Sequence, residues 1–521
     1  WPDMALDART ALSRAAADVG IPLTFLPVPK GAASGISRYQ EWQPGNHFRP
    51  DVPVSTELLL YPRTRTQLHP TWKVVVPEPG VGNTYEVYVD AVDGTILFRG
   101  NRLRWFAAGN EDLTLNVWAS DSPSPMSPGL PDPTGGQPPL TARTLLTMGP
   151  TAESPQGWIP DGINEPVGNN VDAHLDLDAD NLPDLPRPQG SPYRVFDFPV
   201  DLGLEPDTYR DASVVQGFYY VNIAHDRLYA LGFDEAAGNF QTDNFGLGGV
   251  GGDPMLLDCQ DGSGTNNANW NGEHADGTDS RIQMYVFDRP VPHRDGDFDG
   301  DMAYHEYAHG LAHRLVPGLS GFTDTGGGLG EGWSDYFAIS LNAEPGDDPD
   351  ATYPYSAYIG KDLFFDDPDN NYYWGVRRYP YTTDMSRSPL TFRDTDNSQI
   401  EIPDDIPVSP AWIYGANEVH NAGEIWANAL LEGRALLWNS GHGFDANELM
   451  MQLVVDGMKL MPITGTYVDA RDAIINADMV NNGGAHSALL WAGFAKRGLG
   501  VDAEAPLPFV FSGVKESFDV P

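Results

Sequence analysis

Hydrophobic and polar positions divide this chain into stretches with different habits. Met4 to Val19 carries the spacing of a helix. Strands follow: Lys73-Val74-Val75-Val76 is a short apolar run, and Tyr85-Glu86-Val87-Tyr88-Val89 alternates as a half-buried strand does. Asp93-Gly94 separates that run from Thr95-Ile96-Leu97-Phe98, a pattern that predicts a hairpin. Asp121 to Pro139, rich in Pro, Ser and Gly with no apolar period, reads as an irregular surface segment. Residues 140–300 are loop-rich, with one main helix expected over Asp211–Leu231. Beyond 300 the pattern turns helical: Asp301–Val316, Glu331–Leu341, Asn417–Asn439, Ala446–Leu460, Val468–Val480 and His486–Gly498. The pattern therefore predicts a mixed α+β protein whose larger part is β-rich and loopy first, helical second, with no internal repeat.

Charge sharpens the division. The 521 residues carry a formal net charge of −42, yet residues 1–105 hold 11 Lys/Arg against 10 Asp/Glu, leaving 20 and 63 in the rest. A near-neutral segment beside a strongly acidic one suggests two units, 1–105 and 106–521. Such acidity argues against a nucleic-acid partner, because phosphate contacts need basic surface. No apolar run approaches the roughly 20 residues of a membrane span. The single cysteine, Cys259, excludes an intrachain disulfide, so the fold must rest on its core, with or without metals. Trp1 is not followed by a basic stretch and an apolar stretch, so a leader is expected to be either already removed or absent.

The chemistry centres on His305-Glu306-Tyr307-Ala308-His309. Histidines at i and i+4 share one helix face, one turn apart, and both imidazoles can reach a single Zn²⁺ at about 2.0–2.1 Å. Glu306 follows the first ligand, where it can act as general base. Zinc bound there lowers the pKa of water towards neutrality. With 12 His in the chain, chance supplies about 0.02 such pentads. The bland alternative is two solvent-facing histidines on an amphipathic helix.

A hydrolytic zinc ion needs a third protein ligand and one open position. Pro317-Gly318 ends the first helix, and the glycine run Gly326-Gly327-Gly328-Leu329-Gly330 leads into Glu331-Gly332-Trp333-Ser334-Asp335, which is expected to open a second helix. Glu331, in that helix's first turn, can point back at the metal. Asp335 shares its face and can accept a hydrogen bond from a ligand imidazole. Alternatively both acids merely complement the helix dipole.

His305-Glu-Tyr-Ala-His-Gly310 and Gly330-Glu-Gly-Trp-Ser-Asp335 together resemble the fungalysin family of secreted zinc metallopeptidases, relatives of the thermolysins. The likeness extends to Gly168–Ala173 with Asp176–Asp180, to Asn266-Asn267-Ala268 and Gln283-Met284-Tyr285, and to Phe494–Gly500 and Glu516–Asp519. Residues 54–100 resemble the last part of the inhibitory propeptide that precedes such enzymes.

The resemblance implies an extracellular zinc endopeptidase, thermolysin-like and two-lobed. The β-rich lobe would be about 106–315 and the helical lobe 316–521, with the zinc helix between them. A small α/β propeptide domain, 1–105, would keep the precursor latent in cis. Protein and peptide substrates, a monomeric state, and no nucleic-acid or membrane partner are expected. Val419-His420-Asn421-Ala422-Gly423-Glu424 resembles the thermolysin-type segment whose histidine donates to the oxyanion of the tetrahedral intermediate. On the residues alone, His420 is one polar side chain at a helix start. The resemblance also implies that Asn267 and the Ala268 carbonyl pair with substrate backbone, as an added strand does.

Departures and alternatives complete the expectations. Where the family often has Ser-Asn-Arg, this chain has Ala312-His313-Arg314. His313 is eight residues from His305, over about 12 Å along a straight helix, so one ion cannot bind both. Thermolysins carry an aspartate five residues before the oxyanion-binding histidine; here that position is Gly415, which leaves open what orients His420. Asp295-Gly-Asp297-Phe-Asp299-Gly300 opens like an EF-hand loop, but its twelfth position is Glu306, already claimed as the base, so it reads as an acidic loop. The Asp176–Asp178–Asp180 run is no EF-hand either, though it can hold Ca²⁺ in another geometry. The alternatives to an endopeptidase are a catalytically inactive, zinc-stabilised binding module and a zinc aminopeptidase.

Overall fold

The computed structural model describes residues 4–24, 27–45, 47–49, 52–64, 67–77, 84–101, 111–119, 124–126, 133, 136–272, 274–316, 318–319, 324–363, 371–409, 415–510 and 512–521. The Pro-rich stretch 121–139 falls largely outside them. The chain divides into two units, Trp1–Ala107 and Ala108–Pro521.

In the first unit, helix α1 (Ala8–Asp18) starts where Asp7 accepts a 2.8 Å hydrogen bond from the Thr10 N–H. Five antiparallel strands follow in sequence order: β1 (Gln40–Trp42), β2 (Val54–Thr64), β3 (Gln67–Pro77), β4 (Thr84–Asp90) and β5 (Ile96–Asn101). The register sets Leu58, Trp72 and Val89 in one row and Thr56, Val74 and Val87 in the next. Ala11, Leu12, Ala15 and Ala16 of α1 join these rows in one buried cluster. Small residues on the helix leave room for Trp72, whose indole N–H donates to the Leu6 carbonyl at 3.0 Å. The expected β4–β5 hairpin turns through Gly94, whose φ of 77° suits glycine.

In the second unit, β6 (Leu113–Val117) pairs with β7 (Thr144–Met148) and β9 (Val195–Phe196). The sheet that carries the functional edge runs β11-β12-β10-β8. Its strands β8 (Val171–Leu175), β10 (Met255–Cys259) and β12 (Ser280–Met284) are parallel, and β11 (Ala268–Gly272) lies antiparallel at the end. A two-stranded ribbon, β13 (Val286–Phe287) and β14 (Arg294–Asp295), follows. Helix α2 (Arg210–Ala230) packs on β8 and β10, and Gly217 makes the approach close: a methyl group there would stand 2.8 Å from Leu257. Then come α3 (Gly300–Leu315), α4 (Asp324–Asn342), the short α5 (Asn371–Trp374), α6 (Val419–Leu437), α7 (Asp445–Lys459), α8 (Tyr467–Asn482) and α9 (Ser487–Lys496).

One helix departs from the pattern. The glycine run before Glu331 is not a connection: α4 begins at Asp324 and carries those glycines inside it. A glycine in a helix interior costs about 1 kcal/mol against alanine, and packing is what offsets it. A Cβ on Gly328 would lie 2.2 Å from the Tyr467 hydroxyl, and one on Gly332 would lie 2.6 Å from the Gly423 carbonyl of α6. Reciprocally, a Cβ on Gly423 would lie 2.6 Å from the Glu331 Cβ. Helices α4 and α6 cross at bare backbone.

The EF-hand-like loop is buried rather than solvated. Asp295, Asp297 and Asp299 are all inaccessible, and each is held by protein donors. Asp297 Oδ2 accepts from the Ser213 hydroxyl at 2.8 Å and the Gln260 N–H at 3.0 Å, while Asp295 Oδ2 accepts from the Gln260 amide at 2.6 Å. Asp299 caps α3 through the Met302 N–H at 3.3 Å. Burial, with the neighbouring Asp295 charge, pushes the Asp297 carboxyl well above the usual carboxylate range.

Gly423→Ala should cost about 1–3 kcal/mol of stability, because the Glu331 Cβ and the backbone of α4, not the movable end of a side chain, stand in the way. Denaturant melts of the full chain measure this, and an unchanged midpoint would mean the helices part freely. A second expectation concerns pH. Asp297 keeps a proton in the native state that the unfolded chain releases above about pH 4. Native stability therefore falls as pH rises towards the elevated pKa, by up to about 1.4 kcal/mol per pH unit for one retained proton. Asp297→Asn should remove that slope, so its melting temperature relative to the parent should rise between pH 5 and pH 8. A difference independent of pH would show that Asp297 is charged in the fold.

Candidate metal centre

Helix α3 places His305 and His309 on one face, and α4 faces them with Glu331. The three converge. His305 Nε2 lies 3.0 Å from His309 Nε2 and 3.1 Å from Glu331 Oε2, and His309 Nε2 lies 3.6 Å from Glu331 Oε1. A tetrahedral ion with bonds of about 2.0–2.1 Å holds its ligand atoms about 3.3–3.4 Å apart, so the spacing is that of a metal cage.

The donor chemistry gives the same fit. His305 Nδ1 is 2.8 Å from Asp335 Oδ1. A neutral His305 that donates from Nδ1 turns a lone pair, not a proton, towards His309 and Glu331. Acceptors facing acceptors at such distances call for a cation. With the protein's own charges alone, a proton meets that demand. Burial lowers His305, but Asp335 and Glu331 more than offset it and push it up to about 10. Burial, with the charge on His305 and other neighbouring histidines, pushes His309 down to about 3, although Glu331 opposes this. Glu331 is held well below the carboxylate range by His420, His309 and His305 despite its burial.

Asp335 is fully buried and is itself braced. Arg377 donates to both of its oxygens, from Nε at 2.6 Å and from Nη2 at 2.7 Å, and the Tyr381 hydroxyl donates to Oδ2. The arginine holds Asp335 ionised, so Asp335 always accepts from His305. Arg377 also lies 4.5 Å over the Tyr355 ring. The sequence reading missed Arg377 and Tyr381. The one signal was the dipeptide Arg377-Arg378 in a unit so short of cations.

His305, His309, Glu331 and Arg377 line a cleft of about 1060 Å³ with Glu306 beside them, and Asp335 and Tyr381 stand behind its wall. Burial pushes Glu306 up to about 7, with Glu331 reinforcing the shift and His305 opposing it. A cation on the neighbouring ligands would draw it down again. Gly310, which ends the His-Glu-Tyr-Ala-His-Gly run, lets α3 sit against the sheet: a Cβ there would stand 2.8 Å from Phe240 and 2.9 Å from the Trp270 indole nitrogen of β11. Asn267 and Ala268 stand at the start of β11 on the cleft wall, Asn267 exposed and Ala268 buried. His420, in the first turn of α6, comes from the opposite side, with Nε2 3.5 Å from Glu331 Oε2. His313 takes no part in the cage; its ring lies tilted against Trp270 and His274, with centroids 4.6 Å from each.

The expectation of calcium meets a second carboxylate group. Asp176, Asp258 and Asp261 bring oxygens within 4.8 Å of one another, as do Asp176, Asp178 and Asp180. The buried three are already engaged: Asp176 by the N–H groups of Asp180 and Asn181, Asp258 by Arg281, and Asp261 by the Ser263 N–H and Gln283.

Comparison with known proteins places this geometry in a family. Residues 132–503 match the model of the fungalysin metallopeptidases, M36. The chain is 34% identical over 468 residues to extracellular metalloproteinase 2 of Trichophyton rubrum, covering 85% of this chain and 66% of that protein. It is 36% identical over 481 residues to an extracellular metalloproteinase of Pyrenophora tritici-repentis, covering 87% and 64%. It is 38% identical over 402 residues to extracellular metalloproteinase 1 of Trichophyton equinum, covering 72% and 59%. The chain thus spans about two thirds of the length of the first two relatives and somewhat less of the third. A family match that runs through the whole cage, from β11 to α6 and beyond, shows that this chain belongs to the fungalysin metallopeptidases.

Proposed function

We propose that this protein is a secreted zinc endopeptidase that cleaves internal peptide bonds. The observation that carries the reading is the convergence of His305, His309 and Glu331 around one point, with a buried carboxylate, Glu306, beside them in an open cleft. Zinc held there supplies Lewis acidity, polarising the scissile carbonyl and making hydroxide available near neutral pH.

Each side chain then has a task. His305, His309 and Glu331 hold the ion, and Asp335 fixes the His305 tautomer through Nδ1. Glu306 takes the proton from the attacking water and returns it to the leaving amine. His420 donates from Nε2 to the developing oxyanion. Asn267 and the Ala268 carbonyl hold the substrate as an added strand on β11, which stands at the end of its sheet. The cleft runs between a β-rich lobe, about 106–315, and a helical lobe, about 316–521, with α3 at its floor. The relatives named above are extracellular metalloproteinases, which supports secretion. Among the described residues no helix is long and apolar enough to cross a membrane. We take the enzyme to act as a monomer.

Residues 1 to about 105 act on this reading as a propeptide that keeps the enzyme latent. Support comes from their near-neutral charge, their separate hydrophobic cluster, and the division of the chain at 107. Within the connection expected to be cut, after Arg99 and before 121, residues 102–110 and 120 lie outside the described residues, and β6 occupies Leu113–Val117.

Glu306→Gln should keep zinc at wild-type stoichiometry and lower kcat by about 10²–10⁴-fold, since it removes a base and no ligand. Glu331→Ala should lose zinc and activity together. Metal analysis beside hydrolysis of an internally quenched, end-blocked peptide reads both, and wild-type turnover in the Gln variant would sink the base assignment. For latency, purified full-length chain should gain activity in step with a new N-terminus between residues 99 and 121. Full activity in uncut chain, with no gain on cutting, would rule out the inhibitory role.

A further inference from the structure

The side chain that orients His420 follows from how α6 begins. The position five residues upstream, where a thermolysin carries aspartate, cannot do the work here. Position 415 is glycine and offers no carboxylate, and the space a Cβ would enter is taken by the side chains of Asn397, 2.7 Å away, and Asn417, 3.0 Å away. The Gly415 carbonyl is used instead, accepting from the Asn421 side-chain amide at 2.9 Å.

Glu418 stands at the N-cap of α6 with extended backbone, φ −62° and ψ 136°. Its two carboxylate oxygens face two different groups. Oε2 accepts from the Asn421 N–H at 3.1 Å, which closes the first turn of the helix. Oε1 lies 2.6 Å from His420 Nδ1, a short, charge-assisted contact. The opposite ring nitrogen, Nε2, is the one turned to Glu331 and the cleft.

We propose that Glu418 is the positioning residue of the oxyanion-binding histidine: its carboxylate accepts from Nδ1 and fixes the His420 ring with Nε2 facing the cleft, where the imidazolium form, a donor at both nitrogens, presents its second N–H. This rests on the peptidase reading above. One carboxylate does two jobs because both targets lie within a turn of the same helix start. The bond to Asn421 fixes the carboxylate plane, and the fixed carboxylate then sets the ring. His420 is half-exposed, so packing alone does not immobilise it. A ring free to turn would misplace the donor by an ångström or more, and such misplacement costs up to about 10²-fold in rate.

A double-mutant cycle separates this role from the cap. Glu418→Ser keeps a good N-cap side chain but does not reach His420. In the full chain after activation, it should retain zinc, melting temperature and KM within about twofold, and lower kcat by about 10–100-fold. Glu418→Gln, which keeps the length and one acceptor oxygen, should recover part of that loss. In a His420→Ala background, Glu418→Ser should change kcat less than about twofold, because nothing is left to orient. The same fold loss in both backgrounds would overturn the proposal, since the effect would then come from the helix. So would wild-type kcat in Glu418→Ser. If Glu306→Gln abolishes cleavage but His420→Ala alone leaves kcat unchanged, the oxyanion role of His420 is wrong and the positioning role falls with it, while the metal centre stands.

Discussion

The crossing of α4 and α6 at bare backbone is the constraint on which the site depends. Two glycines, Gly332 and Gly423, remove the side chains that would otherwise hold the helices apart. The consequence is chemical rather than merely architectural. Glu331 sits beside Gly423, so its carboxylate enters the space that His420 approaches from the start of α6. Any larger residue at either glycine would separate Glu331 from His420. The helix propensity lost at five glycines between 326 and 332 is therefore the condition for bringing two elements nearly a hundred residues apart within one ligand's reach.

Scarce cations fix the rest of the scaffold. Arg377 and Arg378 are neighbours in sequence but reach different helices: Arg377 meets Asp335 on α4, and Arg378 meets Glu424 on α6, with Nε 2.9 Å from Oε2. Arg378 also donates to the Asn421 carbonyl. Further along α6, Arg497 donates to Glu432 at 2.9 Å. Each of these pairs is buried, and a buried pair that nearly breaks even in stability becomes costly when one partner is absent. The pairs thus penalise alternative packings of α4 and α6 more than they stabilise the native one. In a unit with 20 basic against 63 acidic residues, these few arginines lie where the helices around the site must be held in register.

The parts of this design that are local in sequence were legible. The pentad, the Glu331–Asp335 pair one turn apart, and the Asp93-Gly94 hairpin all follow from spacing within one element. What depends on contacts between distant elements was not. The glycine run before Glu331 reads as a helix break because local propensity says so; only Tyr467 and Gly423, far along the chain, make helix the better state. Arg377 has no local motif, since its partner is 42 residues away. The aspartates at 295, 297 and 299 read as an acidic loop, and only Ser213 and Gln260 reveal a buried polar network. Glu418 is the instructive case. It lies two residues from His420, yet a search for an aspartate at one fixed spacing passes over it, although another helix-start position meets the same geometric need.

The relay behind the metal cage shows why such outer residues are hard to exchange. The His305 imidazole can offer a lone pair to an ion only if its proton stays on Nδ1, and that requires an acceptor charged at every working pH. A buried aspartate would by itself tend to take up a proton, because burial penalises its charge. Arg377, bound to both carboxylate oxygens, reverses that tendency and holds Asp335 as an anion. Tyr381 adds a third donor from a hydroxyl whose own ionisation is suppressed by burial and by that same anion. The tautomer of His305 is thus set through Asp335 by the two residues behind it, Arg377 and Tyr381. A neutral replacement for Arg377 would remove what keeps Asp335 an anion, and with it the acceptor that holds the His305 proton on Nδ1.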